Sequence, residues 1–215
     1  MVEKKIAGLA LAGLAAAALV LPSGPAARAA DAGEGAADEA CLLRATTGEL
    51  HCYPSADALL EAVTGVPTDG LTTADLSERS TLRSIETGLV RQDRAAASRA
   101  ARAARTGLDE PVAAAPAPAP LASVVTAIFY DGTYGTGAAL VMEAASGCDD
   151  DLDVEWAWPT LTSSWRNRIR SGTGYARCDF KVWNNASYGG ASYGYVASSG
   201  HFGALDAAAN SVKMR

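Results

Sequence analysis

From residue 124 onward the chain repeats short apolar or alternating runs broken by Gly, Ser and Asn, a pattern that predicts strands. The runs cover 124–130, 138–143, 176–183, 191–196 and 211–214. β-branched and aromatic residues fill them, and no long amphipathic helix competes. Upstream, residues 41–52 read as a hairpin turning at Thr47-Gly48. Ser55 then N-caps a short helix with Leu59, Leu60 and Val63 on one face.

Between 66 and 120 the apolar pattern fades. The first part is Ala-rich and helix-prone and carries Arg91, Arg94, Arg99, Arg102 and Arg105. A basic helical face suits an anionic polymer or lipid head groups. A solvated, partly disordered spacer is the preferred reading. Residues 111–120 end in alternating Ala and Pro, which favours extended polyproline geometry and a semi-rigid linker. At the start, Lys4 and Lys5 precede an unbroken apolar run over 6–21, and Ala27-Arg-Ala29 fits a processing site. Residues 1–30 are therefore expected to be a signal peptide, in preference to a membrane anchor, because no second apolar segment follows. The expected organisation is a disulfide-tied hairpin-helix unit at 31–65, a linker at 66–120 that is disordered or helical, and an all-β domain at 121–215.

Charge and cysteine usage narrow the function class. A net charge of −6 is mild and argues against a dedicated nucleic-acid binder. Cys41, Cys52, Cys148 and Cys178 all follow the export signal, and an even count there suggests two disulfides. Four cysteines allow three pairings; position favours Cys41–Cys52 and Cys148–Cys178. A metal–thiolate site is the weaker alternative, with no Cys-x-x-Cys and only two His.

One motif occurs twice. Trp183-Asn-Asn-Ala-Ser-Tyr188-Gly-Gly190 places two aromatics with four residues between them ahead of glycine, and Phe129-Tyr-Asp-Gly-Thr-Tyr134-Gly135 repeats the pattern. The second aromatic can lay its ring over a turn, Gly190 supplies positive φ, and a closing Ser such as Ser211 can tie the folded hairpin. The first copy is degenerate: Thr136 stands where glycine is expected and Gly137 comes one residue late. The segment 183–190, with Ser211 closing the unit, resembles a βγ-crystallin-type Greek key. Residues 121–215 are similar to the secreted two-motif βγ-crystallin-like domains of actinobacteria, the streptomycete metalloproteinase-inhibitor family among them. Tyr188-Gly-Gly-Ala-Ser192 and Arg166-Asn-Arg-Ile-Arg-Ser171, with Trp165 before it, carry this likeness. It covers less than half of the chain. It implies a two-Greek-key β-sandwich and a binding role, most concretely inhibition of an extracellular protease.

Calcium-binding members of that fold use an Asn/Asp-Asn/Asp-x-x-Ser/Thr-Ser clamp of oxygen ligands. Here the first clamp begins with Arg166, and the second reads Asp206-Ala-Ala-Ala-Asn210-Ser211. Asp206 and Ser211 remain weak calcium candidates, and no tightly held cofactor is expected.

The first repeat unit is longer than the second, and the excess falls around 144–159. That segment offers Cys148, Asp149, Asp150, Asp151, Asp153, Trp156 and Trp158. A disulfide-anchored loop with acids and two tryptophans is the candidate binding surface, since Trp desolvates much area at little rotamer cost. Alternation of Val154, Trp156 and Trp158 equally suits one face of a strand, with the rings in the core.

Gly190-Ala-Ser192-Tyr-Gly194 satisfies Gly-x-Ser-x-Gly, but a nucleophile elbow needs strand, sharp turn and helix. His201 and Asp206 follow in the wrong order for that class. The expectation is a secreted, non-enzymatic binding protein; the alternatives are a structural or cell-wall-associated protein and a weak calcium module.

Overall fold

The computed structural model describes residues 37–106 and 123–215. The expected signal peptide and the whole Ala-Pro stretch lie outside the described residues. Along the chain run β1 (Ala40–Arg44), β2 (Leu50–Tyr53), α1 (Ala56–Thr64), a 3-10 turn (Thr73–Ser77) and α2 (Arg79–Thr106). Then come β3 (Val124–Tyr130), β4 (Ala139–Ala144), β5 (Trp156–Trp158), β6 (Ser171–Gly174), β7 (Phe180–Trp183), β8 (Ser192–Val196), β9 (Ser198–Ser199) and β10 (Ser211–Met214).

Two sheets form, ordered β2-β1-β4-β3-β6-β9 and β5-β10-β7-β8. Strands β3–β6 and β7–β10 make two similar groups of four. In each group the third strand leaves its own sheet: β5 pairs with β10 and β9 pairs with β6.

The N-terminal hairpin is not a free-standing unit. β1 pairs in parallel with β4, from Ala40 opposite Ala139 to Arg44 opposite Glu143. The hairpin, expected within a separate unit at 31–65, shares one six-stranded sheet with β3, β4, β6 and β9. The reason lies in β1 itself. Cys41 and Leu43 pack into the core between the sheets, while Ala40 and Leu42 pack under the helices. A strand apolar on both faces needs cover on both, and a four-residue partner such as β2 cannot supply it. β4 repeats the arrangement with Leu140 and Met142 on one side and Ala139 and Val141 on the other.

The Ala/Arg segment is likewise half structural. Ile85 and Leu89, with Leu82, are spaced for one helix face and pack over Val125, Ile128 and Val141. Gly88 lets α2 approach α1, because a Cβ there would lie 2.8 Å from Val63 Cγ1. Glu86 Oε1 accepts the Val125 N–H at 3.0 Å, beside the bulge in β3. Past Asp93 no described side chain of α2 is buried, so the spacer reading fits only this end.

Local sequence signals are met where they are strongest. The Ser55 hydroxyl caps α1 by accepting the Ala58 N–H at 3.1 Å, and Gly65 ends the helix at φ 72°. Strands β3 and β10 have the expected limits. The run 176–183 yields a strand only from Phe180, because Ala176 and Arg177 adopt φ 50° and 66° in a turn. Strands β6 and β9, made of Ser, Gly and Thr, carried no hydrophobic pattern and went unpredicted.

The repeat itself needs a correction of register by one residue. Tyr130, not Phe129, answers to Trp183: Tyr130 pairs with Ser171 as Trp183 pairs with Ser211. Ser171 Oγ donates to Gly132 O and accepts from Gly135 N; Ser211 Oγ donates to Asn185 O and accepts from Tyr188 N. Gly137 (φ 81°) therefore matches Gly190 (φ 76°), and a Cβ at either would strike the side chain of Asp131 or Asn184. The glycine of the first copy is on time, and what is missing is the second aromatic, replaced by Gly135. Phe129 instead faces the inter-sheet core, 5.0 Å from Phe180. In the second copy Tyr188 covers the turn as expected, with its ring 5.5 Å from that of Trp183.

Candidate functional site

The loop between β4 and β5 is held at both ends. Cys148 and Cys178 are bonded and buried, and Cys148 N donates to Ala176 O at 3.0 Å. At the other end Glu155 N donates to Met214 O at 3.2 Å, which fastens the loop to β10. Between these points the chain turns on its own carboxylates. Asp149 Oδ1 accepts from Asp151 N at 2.9 Å, and Asp151 Oδ1 accepts from Asp153 N at 2.7 Å. Short Asp side chains favour such turns because they offer an acceptor two residues back.

The tip of this loop is apolar. Leu152 is 74 % exposed and Val154 is 41 % exposed, so two of the exposed large hydrophobics among the described residues sit here. Asp149, Asp150, Asp151 and Asp153 surround them and face solvent. Arg177 reaches Asp150 at 3.2 Å, but both side chains are well exposed, so the pair contributes little. A shallow hollow of about 530 Å³ lies at the base, lined by Ser146, Cys148, Asp149, Glu155 and Arg177 among others.

The two tryptophans do not line the exposed tip. Trp158 is buried in the core between the sheets. Trp156 packs against that core and donates its Nε1–H to Ser146 O at 3.0 Å. They form the wall on which the loop stands. Leu152, which is not among the residues expected from the sequence, takes the outer position. Its only signal was an apolar residue inside an acidic run.

Carboxylate oxygens of Asp149, Asp151 and Glu155 lie within 4.8 Å of one another. Hard cations accept such oxygens, but two of the three residues are exposed, and an exposed acidic turn has this geometry without an ion.

The clamps are occupied by the protein's own bonds. Asn167 and Ala207 sit at equivalent positions (φ 58° and 54°); Asn167 N donates to Ala209 O and Ala207 N to Ile169 O, both at 2.9 Å. Ser211 Oγ is fully buried in the hairpin tie, and Asp206 Oδ1 accepts the Phe202 N–H. The Asn210 amide nitrogen lies 2.7 Å from both Asn167 Oδ1 and Asn184 O. An N–H donor there takes the acceptor lone pairs that calcium would need, and Arg166 offers the first clamp no side-chain oxygen.

Ser192 begins β8, so the Gly-x-Ser-x-Gly stretch leads into a strand and not a helix. His201 Nδ1 accepts from Gly203 N at 3.2 Å. Both disulfides are formed as position favoured, Cys41–Cys52 and Cys148–Cys178, which fits an oxidising compartment. Among the described residues no helix is long and apolar enough to cross a membrane.

No family model, curated protein or solved structure matches the chain.

Proposed function

We propose that this is an exported, non-enzymatic binding protein that inhibits an extracellular protease by presenting the 148–155 loop. The observation that carries this reading is Leu152, 74 % exposed at the tip of a segment fixed by a buried disulfide and by β10. An apolar side chain held out on a braced loop enters a protease pocket without first ordering the backbone, which lowers the entropy cost of binding. If the loop is nicked, the anchored ends stay in register and the product is slow to leave. The acids around Leu152 favour a target with a cationic rim.

The architecture belongs to the same proposal: a two-Greek-key βγ-crystallin-like sandwich extended by a hairpin and two helices. The exchange of the third strand between sheets supports it, as do the matched serine ties at Ser171 and Ser211.

The test is a titration of the purified, disulfide-intact chain against a thermolysin-type metalloprotease and a subtilisin-type serine protease. Stoichiometric inhibition of either, lost in Leu152→Asp, is expected. Absence of inhibition of both would overturn the inhibitor reading.

One observation favours a second reading, retention on an anionic cell wall. Lys181, Lys213 and Arg215 lie over the rings of Trp183, Tyr188 and Tyr195 and have no ion pair among the described residues. Salt-sensitive retention on cells would favour that role.

A further inference from the structure

Tyr134 is 76 % exposed, the most exposed large hydrophobic among the described residues. It stands where the second repeat has Ser187. Both adopt φ 55°, and their N–H groups make matching bonds, Tyr134 to Gly200 O at 2.7 Å and Ser187 to Pro159 O at 2.6 Å. The turn therefore accepts a small polar residue, and the aromatic ring is an addition that backbone geometry does not require.

That ring is held in place. It lies against Gly200 so closely that a Cβ there would collide with Cδ1 and Cε1. The His201 ring approaches edge-on, with centroids 6.2 Å apart. Beside it opens a groove of about 410 Å³ between the 3-10 turn and strands β6 and β9, a volume in the range of small-ligand sites. Its walls offer hydroxyl groups of Ser77, Tyr130, Thr173, Ser198 and Ser199, and no charged side chain lines it. Several of these hydroxyls are already oriented. Thr173 Oγ1 and Ser198 Oγ are 3.1 Å apart, Ser77 Oγ donates to Ala74 O at 2.7 Å, and Ser199 Oγ donates to His201 O at 2.6 Å. Tyr193 OH also meets Ser199 Oγ at 3.0 Å, which leaves that hydroxyl one acceptor lone pair facing the groove.

We infer that this groove binds a neutral sugar ring, stacked on Tyr134 and hydrogen-bonded by the serine and threonine hydroxyls. A pyranose presents an apolar C–H face and a rim of hydroxyls, which matches one fixed aromatic ring beside a hydroxyl-lined wall. With no ammonium or guanidinium group in the lining, an anionic ligand would lose hydration without gaining a partner. The site is independent of the 148–155 loop.

The test uses the full disulfide-intact chain, titrated with chitotriose, cellotriose and maltotriose, with trigalacturonate as the charged counterpart, and read by amide shifts in NMR. At least one neutral trisaccharide binds, with shifts gathered at Gly135, Gly172 and Gly200. Tyr134→Ala weakens that binding about tenfold or more, while Tyr134→Phe keeps it; the melting temperature stays unchanged in both. No shift at these amides with any neutral trisaccharide at about 10 mM would overturn the inference. So would equal binding by Tyr134→Ala, or trigalacturonate binding as tightly as the neutral sugars.

Discussion

Arg44 Nη2 lies 2.8 Å from both carboxylate oxygens of Asp93, joining the N-terminal hairpin to α2. The same guanidinium meets Glu143 on β4 through Nε at 3.2 Å, and the Ser123 hydroxyl donates to Asp93 at 3.1 Å. Two strands, a helix and the start of β3 thus converge on one ionic group. Burial tends to lower the pKa of Arg44, but the hydrogen bonds and fields of Asp93 and Glu143 outweigh it and raise it.

Removing this arginine strands two carboxylates, one of them only 1 % exposed. Arg44→Ala is expected to cost about 3 kcal/mol in chemical denaturation. A loss under about 0.5 kcal/mol would mean that the network does not hold the hairpin to the sandwich.

The hairpin and α2 dock on the sandwich without a covalent crosslink, since each disulfide closes within its own half of the chain. Trypsin should cut the exposed end of α2 at Arg94 or Arg99. The products should separate on a denaturing gel yet co-elute as one native species. Dissociation under native conditions would show that β1 contributes little to the six-stranded sheet.

Ser211 carries two hydrogen bonds in a fully buried position. Ser211→Ala should cost about 2 kcal/mol and leave Tyr188 N and Asn185 O unpaired. Ser171→Ala should cost a similar amount, because its bonds to Gly132 and Gly135 are equivalent. Thermal melts of both variants check the equivalence of the two ties.

Burial raises the pKa of the Tyr130 and Tyr175 phenols. A raised folded-state pKa means that the neutral phenol is favoured in the native protein. Its stabilising effect is complete below the unfolded value of about 10 and is lost as pH rises through the folded value. Stability should therefore fall steeply above pH of about 10, and Tyr130→Phe should soften that slope. Urea melts at several alkaline pH values measure it.

Millimolar calcium should leave the melting temperature unchanged, because Asn210 and the hairpin tie at Ser211 use the clamp oxygens. An upward shift reversed by EDTA and abolished in Asp206→Ala would restore the calcium reading.

Much of the fold was legible because its signals are local. Ser55 and Gly65 bound α1, Gly48 and Gly190 turn their hairpins at positive φ, and 124–130 is rich in the β-branched and aromatic residues that favour strands. The candidate loop was legible through Cys148 and its acids. The orientation of Trp156 and Trp158 was not, since a β-run with alternating apolar residues reads alike whether its rings meet a core or a partner.

The sequence by itself determined the caps, the turns and most strands. Each depends on residues near one another in the chain. Only the tertiary structure decided that β1 enters the sheet of β3 and β4, and that Ile85 and Leu89 cover its outer face. The same holds for the repeat, whose true register begins at Tyr130. Such choices follow from which apolar faces find each other across long sequence separations. A strand buried on both sides carries no periodicity to announce its partners.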